Sequence, residues 1–192
     1  MWHDDSDQAE FTEKESEVQD GSFPLIRQFT IEVFSTAARA GILAFLIIYF
    51  IAQTHIVHGY SMEPNLHENQ RIIVEKVSYR FDSPTRGDIV VVDIYDSDVP
   101  LIKRVVGLPG ESVGIINGQL LINEQAINEP YLSPFPTYNY PITIVPEDHI
   151  FVMGDNRPVS RDSRSFGTIN LDAVRGRAWV SYWPIEEVGV LK

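Results

Sequence analysis

Gly59-Tyr60-Ser61-Met62-Glu63-Pro64-Asn65-Leu66 divides this chain in two. Before it lies the one apolar run of membrane length, centred on Gly41-Ile42-Leu43-Ala44-Phe45-Leu46-Ile47-Ile48-Tyr49-Phe50-Ile51-Ala52. After it the pattern changes to short β-branched segments. Ser61 stands before a proline-bounded turn, where a hydroxyl is free of regular structure. A loop serine by itself is an ordinary solvated turn residue. Two later stretches change its weight. Lys103-Arg104-Val105-Val106-Gly107-Leu108-Pro109-Gly110-Glu111 sets a lysine at the start of an apolar strand. Gly154-Asp155-Asn156-Arg157-Pro158-Val159-Ser160-Arg161-Asp162-Ser163-Arg164 gathers charges, hydroxyls and turn formers.

Upstream of the divide, no Asp, Glu, Lys or Arg occurs from Ala40 to Met62. A membrane span needs about 20 largely apolar residues. Residues 23–57 are therefore expected to hold a single membrane-anchor helix, with Arg39 snorkelling at one end. Arg27 and Arg39 precede the run, and no Arg or Lys follows it until Arg71. That asymmetry predicts a cytoplasmic N-terminus and an extracytoplasmic domain at 58–192. A cleaved leader would begin with basic residues, whereas this chain begins with acids. Residues 1–22 carry eight acids against Lys14 alone. So polar a segment cannot bury enough surface to offset chain entropy, and a disordered cytoplasmic tail is expected.

Downstream, Arg71–Val77, Ile89–Ile94, Leu101–Val106, Ile150–Met153 and Ala178–Trp183 read as strands. Ile115–Ile122 reads as a hairpin about Asn117-Gly118. Five prolines between 129 and 146 predict an extended loop. No long amphipathic helix follows the anchor. The expected fold is mainly β, with antiparallel sheets behind one N-terminal transmembrane helix. The roughly 130 residues after the anchor suffice for a core without disulfides. The chain has no cysteine, which excludes a disulfide scaffold, a thiol nucleophile and cysteine-ligated zinc. The formal charge of −12 comes without a basic patch, so no nucleic-acid partner is expected.

The three motifs, in this order behind an anchor and around Arg86-Gly87-Asp88-Ile89-Val90-Val91-Val92, resemble the serine–lysine boxes of bacterial type I signal peptidases. The resemblance covers about Ile56 to Trp183. It implies a coiled antiparallel β-sheet catalytic domain at the outer face of the cytoplasmic membrane. It also implies an endopeptidase that removes N-terminal signal peptides from secretory preproteins, with the bilayer as second partner and no cofactor or metal. Residue by residue it implies Ser61 as nucleophile, Lys103 as general base and Ser160 as the hydroxyl that orients the lysine. The Ser61 N–H would serve the oxyanion. Some members carry a serine hydroxyl donor where this chain has Gly59. Arg104, Asp155, Asp162 and Arg164 match charged residues that brace the site. Asn65 stands where threonine is usual. Ile56, Tyr60, Leu101 and Val105 are expected to line pockets that admit small residues before the cut.

Elementary chemistry sets the demand on such a pair. A serine hydroxyl becomes a useful nucleophile when a base takes its proton. Lysine, with a reference pKa of about 10.4, must be held neutral by an apolar site. Strand alternation puts Leu101, Lys103, Val105 and Gly107 on one face and Ile102, Arg104 and Val106 on the other. Taken alone, Lys103 would be an edge-strand lysine that discourages aggregation. His58, His67 and His149 are the rival bases, as in the eukaryotic branch, but the corresponding position here is Lys103. These histidines lack HxxxH or HxH spacing, which argues against zinc. The rival functions are an inactive anchored β domain that binds peptides and a self-cleaving serine–lysine regulator. A Ser61–Lys103 separation within hydrogen-bond reach favours an enzyme over a binder. Core packing is the leading expectation for Trp179 and Trp183, with the membrane interface as the alternative.

Overall fold

The computed structural model describes residues 23–133 and 137–191. The acidic segment 1–22 and Phe135 lie outside the described residues. The chain divides between Ile48 and Tyr49 into two compact units.

The first unit is helical. Helix α1 spans Phe23–Ile51. Pro24 falls in its first turn, where the missing N–H has no intrahelical role. Within it, Arg27–Leu46 is long and apolar enough to cross a membrane. Phe29, Phe34, Leu43 and Phe45 are exposed along that stretch, as a lipid-facing surface requires. Arg39 lies within that stretch.

The helix also stops earlier than the expected anchor boundary at 57. Ala52–Ile56 is strand β1, paired antiparallel with β2 (Arg71–Glu75) from Ala52↔Glu75 to Ile56↔Arg71. The alternation of Gln53, Thr54 and His55 with Ala52 and Ile56 therefore belongs to a sheet and not to a helix end.

The second unit is two antiparallel sheets. Its remaining strands are β3 (Ile89–Ile94), β4 (Ser97–Gly107), β5 (Ser112–Ile116), β6 (Gln119–Ile122), β7 (Gln125–Ala126), β8 (Tyr140–Ile144), β9 (His149–Met153), β10 (Ile169–Asn170), β11 (Val174–Trp183) and β12 (Gly189–Val190). The larger sheet runs β1-β2-β11-β3-β4-β9-β10, with β12 added to β11. The smaller runs β7-β6-β5-β8. A single turn of helix, α2 (Ser163–Phe166), follows the third motif.

Central β3 explains its own sequence. Ile89, Val90, Val91 and Val92 are all buried, because both faces of this strand are covered. Ile89 and Val91 join Met62, Leu66, Ile72, Val74 and Ile102 in one core, and Val90 and Val92 join Val105, Ile150 and Val152 in another. The smaller sheet closes a third core through Val113, Ile115, Leu120 and Phe151. Asn117 (φ 48°) and Gly118 (φ 81°) make the β5–β6 turn, the left-handed pair that a two-residue hairpin needs.

Two expectations give way here. Tyr140–Ile144, read as loop because of its prolines, is β8, on the edge of the smaller sheet. Pro141 is tolerated there because an edge strand leaves alternate N–H groups without a ladder partner. Trp179 and Trp183 are about half exposed (50% and 49%) rather than core. Register shifts in β11 between Ala178 and Val180 and between Ser181 and Trp183 turn Ala178 and Ser181 inward instead.

Candidate active site

Ser61 opens a tight turn that the chain holds by its own backbone. Asn65 N–H and Leu66 N–H both donate to Met62 O, at 3.0 and 2.9 Å. Met62 and Leu66 then drop into the first core, fully buried. Gly59 just upstream has φ 76°, a conformation that suits glycine. The space where its Cβ would stand is open, so no side-chain donor is supplied from that position.

Lys103 lies on β4 opposite Val90. Its side chain is 2% exposed. The Nζ donates to Ser61 Oγ at 2.8 Å and to Ile102 O at 2.9 Å. Burial pulls the amine pKa down from 10.5 to about 8, while the Asp162 and Asp155 carboxylates act in the opposite direction. The two residues singled out 42 positions apart in the sequence thus meet at hydrogen-bond distance.

The charged residues beside them form two clusters, with Arg104, Asp155 and Asp162 buried and Arg164 partly so. Arg104 Nε and Nη2 donate to the two oxygens of Asp155 at 2.8 and 2.7 Å, and Nη1 donates to Gly87 O at 2.8 Å. Asp162 caps α2, accepting from Arg164 N–H. Its oxygens also accept from Arg164 Nε and Nη2, both at 2.8 Å, and from Gly154 N–H at 3.1 Å. Arg104, Asp155, Asp162 and Arg164 are therefore all paired.

Ser160 departs from expectation. Its Oγ is buried without a hydrogen-bond partner, so the bond to the lysine amine is not formed. The amine is turned to Ser61 Oγ and the Ile102 carbonyl instead, and the hydroxyl packs over Gly154.

A cleft of about 370 Å³ opens beside the pair, lined by Thr54, Ile56, His58, Ser61, Leu101 and Lys103 among others. Ile56 and Leu101 are part of this lining. Tyr60 is not in the lining; it is exposed, and Glu68 raises its phenol pKa through a hydrogen bond. Val105 is also absent from the cleft. It pairs with Val152 and is fully buried with Ile150 and Ile169, because β9 joins β4 from Arg104 onward. Gly107 leaves the lysine's face as well. A register shift after Val105 turns it toward Val113 and Phe151.

Arg157, Glu129 and Tyr131 were not singled out from sequence, nor were the partners of Asn65. Arg157 is buried in an ion pair with Glu129 and donates from Nε to Gly154 O at 3.0 Å. The Tyr131 ring lies 4.2 Å from the Arg104 guanidinium carbon. Asn65 Nδ2 donates to Asp155 Oδ2 and to Tyr131 O, each at 2.8 Å. Arg157 stood inside the third motif and offered a signal. Glu129 and Tyr131 sat in a proline-rich loop and offered none.

A coiled antiparallel β domain behind one apolar helix, with a buried lysine on a serine hydroxyl, defines the class. The chain belongs to the signal peptidase family, peptidase S26, whose profile matches residues 30–183. It is therefore a protease of the signal peptidase type. It is 38% identical over 169 residues to a signal peptidase I of Leptolyngbya laminosa, covering 84% of this chain and 83% of that one. To a signal peptidase I of Bacillus licheniformis it is 37% identical over 160 residues, covering 78% and 86%. A crystal structure of a signal peptidase I from Enterococcus faecalis V583 aligns with 50% of this chain and 97% of its own, at 32% identity and a TM-score of 0.44.

Proposed function

We propose that this protein is a membrane-anchored serine endopeptidase that cleaves signal peptides from secretory preproteins, using Ser61 and Lys103 as its dyad. The observation that carries the reading is the 2.8 Å contact between Ser61 Oγ and an amine that is 2% exposed. It also favours an enzyme over an inactive peptide binder. The neutral amine takes the hydroxyl proton as Oγ attacks the scissile carbonyl. The Ser61 N–H stabilises the resulting oxyanion. The ammonium then returns the proton to the leaving amine, and water, activated by the same lysine, releases the acyl group from Ser61. Arg104, Asp155, Asp162 and Arg164 brace this arrangement.

The substrate is read as an added strand. Among the described residues β4 pairs with β9 only from Arg104 onward, and β1 pairs only with β2. Free edges of Thr54–Ile56 and Val99–Lys103 therefore flank the cleft. An extended peptide between them gains main-chain hydrogen bonds, and alternate side chains point at Ile56 and Leu101. The bulk of those two residues favours small side chains, as at the end of a secretory signal peptide. In this reading α1 crosses the cytoplasmic membrane with residues 1–22 in the cytoplasm and the β domain outside. Ser61 follows the helix end by ten residues, which suits a cut close to the bilayer surface.

The test is cleavage of a preprotein by the full chain in detergent or vesicles. Ser61→Ala and Lys103→Ala are each expected to abolish cleavage while near-UV circular dichroism is unchanged. Normal cleavage by either variant would remove the assigned dyad.

A further inference from the structure

The turn that carries Ser61 touches the third motif at two points. Ser61 O accepts from Asn156 N–H at 3.0 Å. Four residues further on, Asn65 Nδ2 donates to Asp155 Oδ2 at 2.8 Å. The same nitrogen donates to Tyr131 O at 2.8 Å, so both N–H groups of the carboxamide are used. Asp155 is held from its other side by Arg104, the residue next to Lys103 on β4. A continuous path therefore runs from the nucleophile's turn through Asn65, Asp155 and Arg104 to the strand that carries the amine. The Tyr131 ring covers the Arg104 guanidinium, so the second bond of Asn65 fixes the lid over the same pair.

We infer that Asn65 is a positioning residue: its carboxamide sets the placement of Ser61 Oγ against Lys103 Nζ by tying the nucleophile's turn to the Arg104–Asp155 pair. The inference rests on the reading of Ser61 and Lys103 as the dyad. Its chemistry is particular. Only a side chain with donors serves, because both partners are acceptors. Length also matters, since the two acceptors belong to segments 24 residues apart in the chain. Asn65 touches neither Ser61 Oγ nor the cleft lining, and it acts through Asp155.

Asn65 is exposed apart from this amide, so its replacement leaves no cavity in the core. Asn65→Leu keeps the shape and removes both donors. It is expected to fold with an unchanged circular dichroism spectrum and to lose about a hundredfold in kcat, the scale of a small misplacement of reacting groups. KM is expected to stay within about twofold, because the cleft walls are untouched. Asn65→Thr offers one donor a bond nearer the backbone and is expected to recover part of the loss in kcat. Cleavage of a preprotein by the full chain in detergent reads kcat and KM for each variant. A wild-type kcat in Asn65→Leu overturns the inference. So does an equal loss in the leucine and threonine variants, or a loss that appears in KM. Ser61→Ala and Lys103→Ala run in the same assay separate the two claims. If they abolish cleavage and Asn65→Leu is normal, only the role of Asn65 falls. If either cleaves normally, the dyad falls and this inference with it.

Discussion

Arg104 and Asp155 face each other with two parallel hydrogen bonds, 2.8 and 2.7 Å long, although their positions in the chain are 51 residues apart. Both side chains are almost wholly excluded from solvent. The pair is a structural hinge-pin between β4 and the third motif. Two charges taken out of water gain little net stability over an apolar pair, yet removing one leaves the other buried and unpaired. Asp155→Ala is therefore expected to destabilise the domain by about 3–5 kcal/mol. The double variant Arg104→Met with Asp155→Leu is expected to be less destabilised than Asp155→Ala alone. Chemical denaturation in detergent measures both. A double variant that loses the sum of what Arg104→Met and Asp155→Leu lose singly would show that the residues do not act as a pair.

The lysine sets the pH dependence. Its deprotonated form is the base, and burial brings its pKa to about 8. At pH 7 about one amine in ten is then neutral, against about one in several thousand at an ordinary lysine pKa. The rate constant kcat/KM is expected to rise about tenfold per pH unit below 8 and to level off above it. A profile measured on a preprotein or peptide from pH 6 to 10 checks this. A midpoint near 10 would mean that the amine is not sheltered in the working enzyme.

The same burial has a stability consequence of definite sign. An unfolded lysine keeps its proton up to about 10.5, while Lys103 in the fold gives it up near 8. Between those values the unfolded chain binds more protons, so stability rises with pH across that window. Below pH 8 the cost is complete, about 3 kcal/mol for this difference in pKa. Lys103→Met is expected to be more stable than wild type at pH 7 by up to that amount. The advantage should shrink as pH rises from 8 to 10.5. Paired denaturation curves at several pH values give the difference directly. A constant difference would show that Lys103 titrates alike in both states.

Much of this arrangement was legible in the chain itself, and the misses share a cause. Ile89–Val92 announced a strand covered on both faces, and Asn117-Gly118 announced its hairpin, because each signal is local. Ser61 and Lys103 were legible through the motifs around them. β1 was hidden, since Ala52 continues the apolar run of the helix and Gln53-Thr54-His55 looks like a polar helix end. Its pairing with β2 decides the matter, and that partner lies some twenty residues on. Val105 obeyed alternation and still left the cleft, because β9 covers β4 beyond Arg104. Asn65 stood out in the Ser61 motif as a replacement for threonine, but its partners were not legible there, since they lie 66 and 90 residues away.

Gly154 puts the packing around Ser61 to the sharpest test. A Cβ at this position would collide with Ser160 Oγ and with the backbone oxygen of Ser61, and would approach Ser160 Cβ to 2.6 Å. The Ser160 hydroxyl can rotate away, but neither Ser160 Cβ nor the Ser61 carbonyl can move without the backbone. That carbonyl is held by Asn156 N–H at 3.0 Å, and it belongs to the residue whose Oγ must meet Lys103. Gly154 N–H is tied to Asp162 as well, so the glycine cannot retreat without loosening that carboxylate. Gly154→Ala is therefore expected to cost about 1–3 kcal/mol of stability through overpacking. Its activity loss should exceed what that destabilisation explains, since relief of the clash moves the nucleophile. Gly189→Ala is the matched control. Nothing lies within 4 Å of a Cβ there, and stability should change by no more than about 0.5 kcal/mol. Cleavage rates measured well below the melting temperature of both variants separate the two effects. Full activity in a folded Gly154→Ala protein would show that the Ser61 carbonyl has more freedom than its contacts allow.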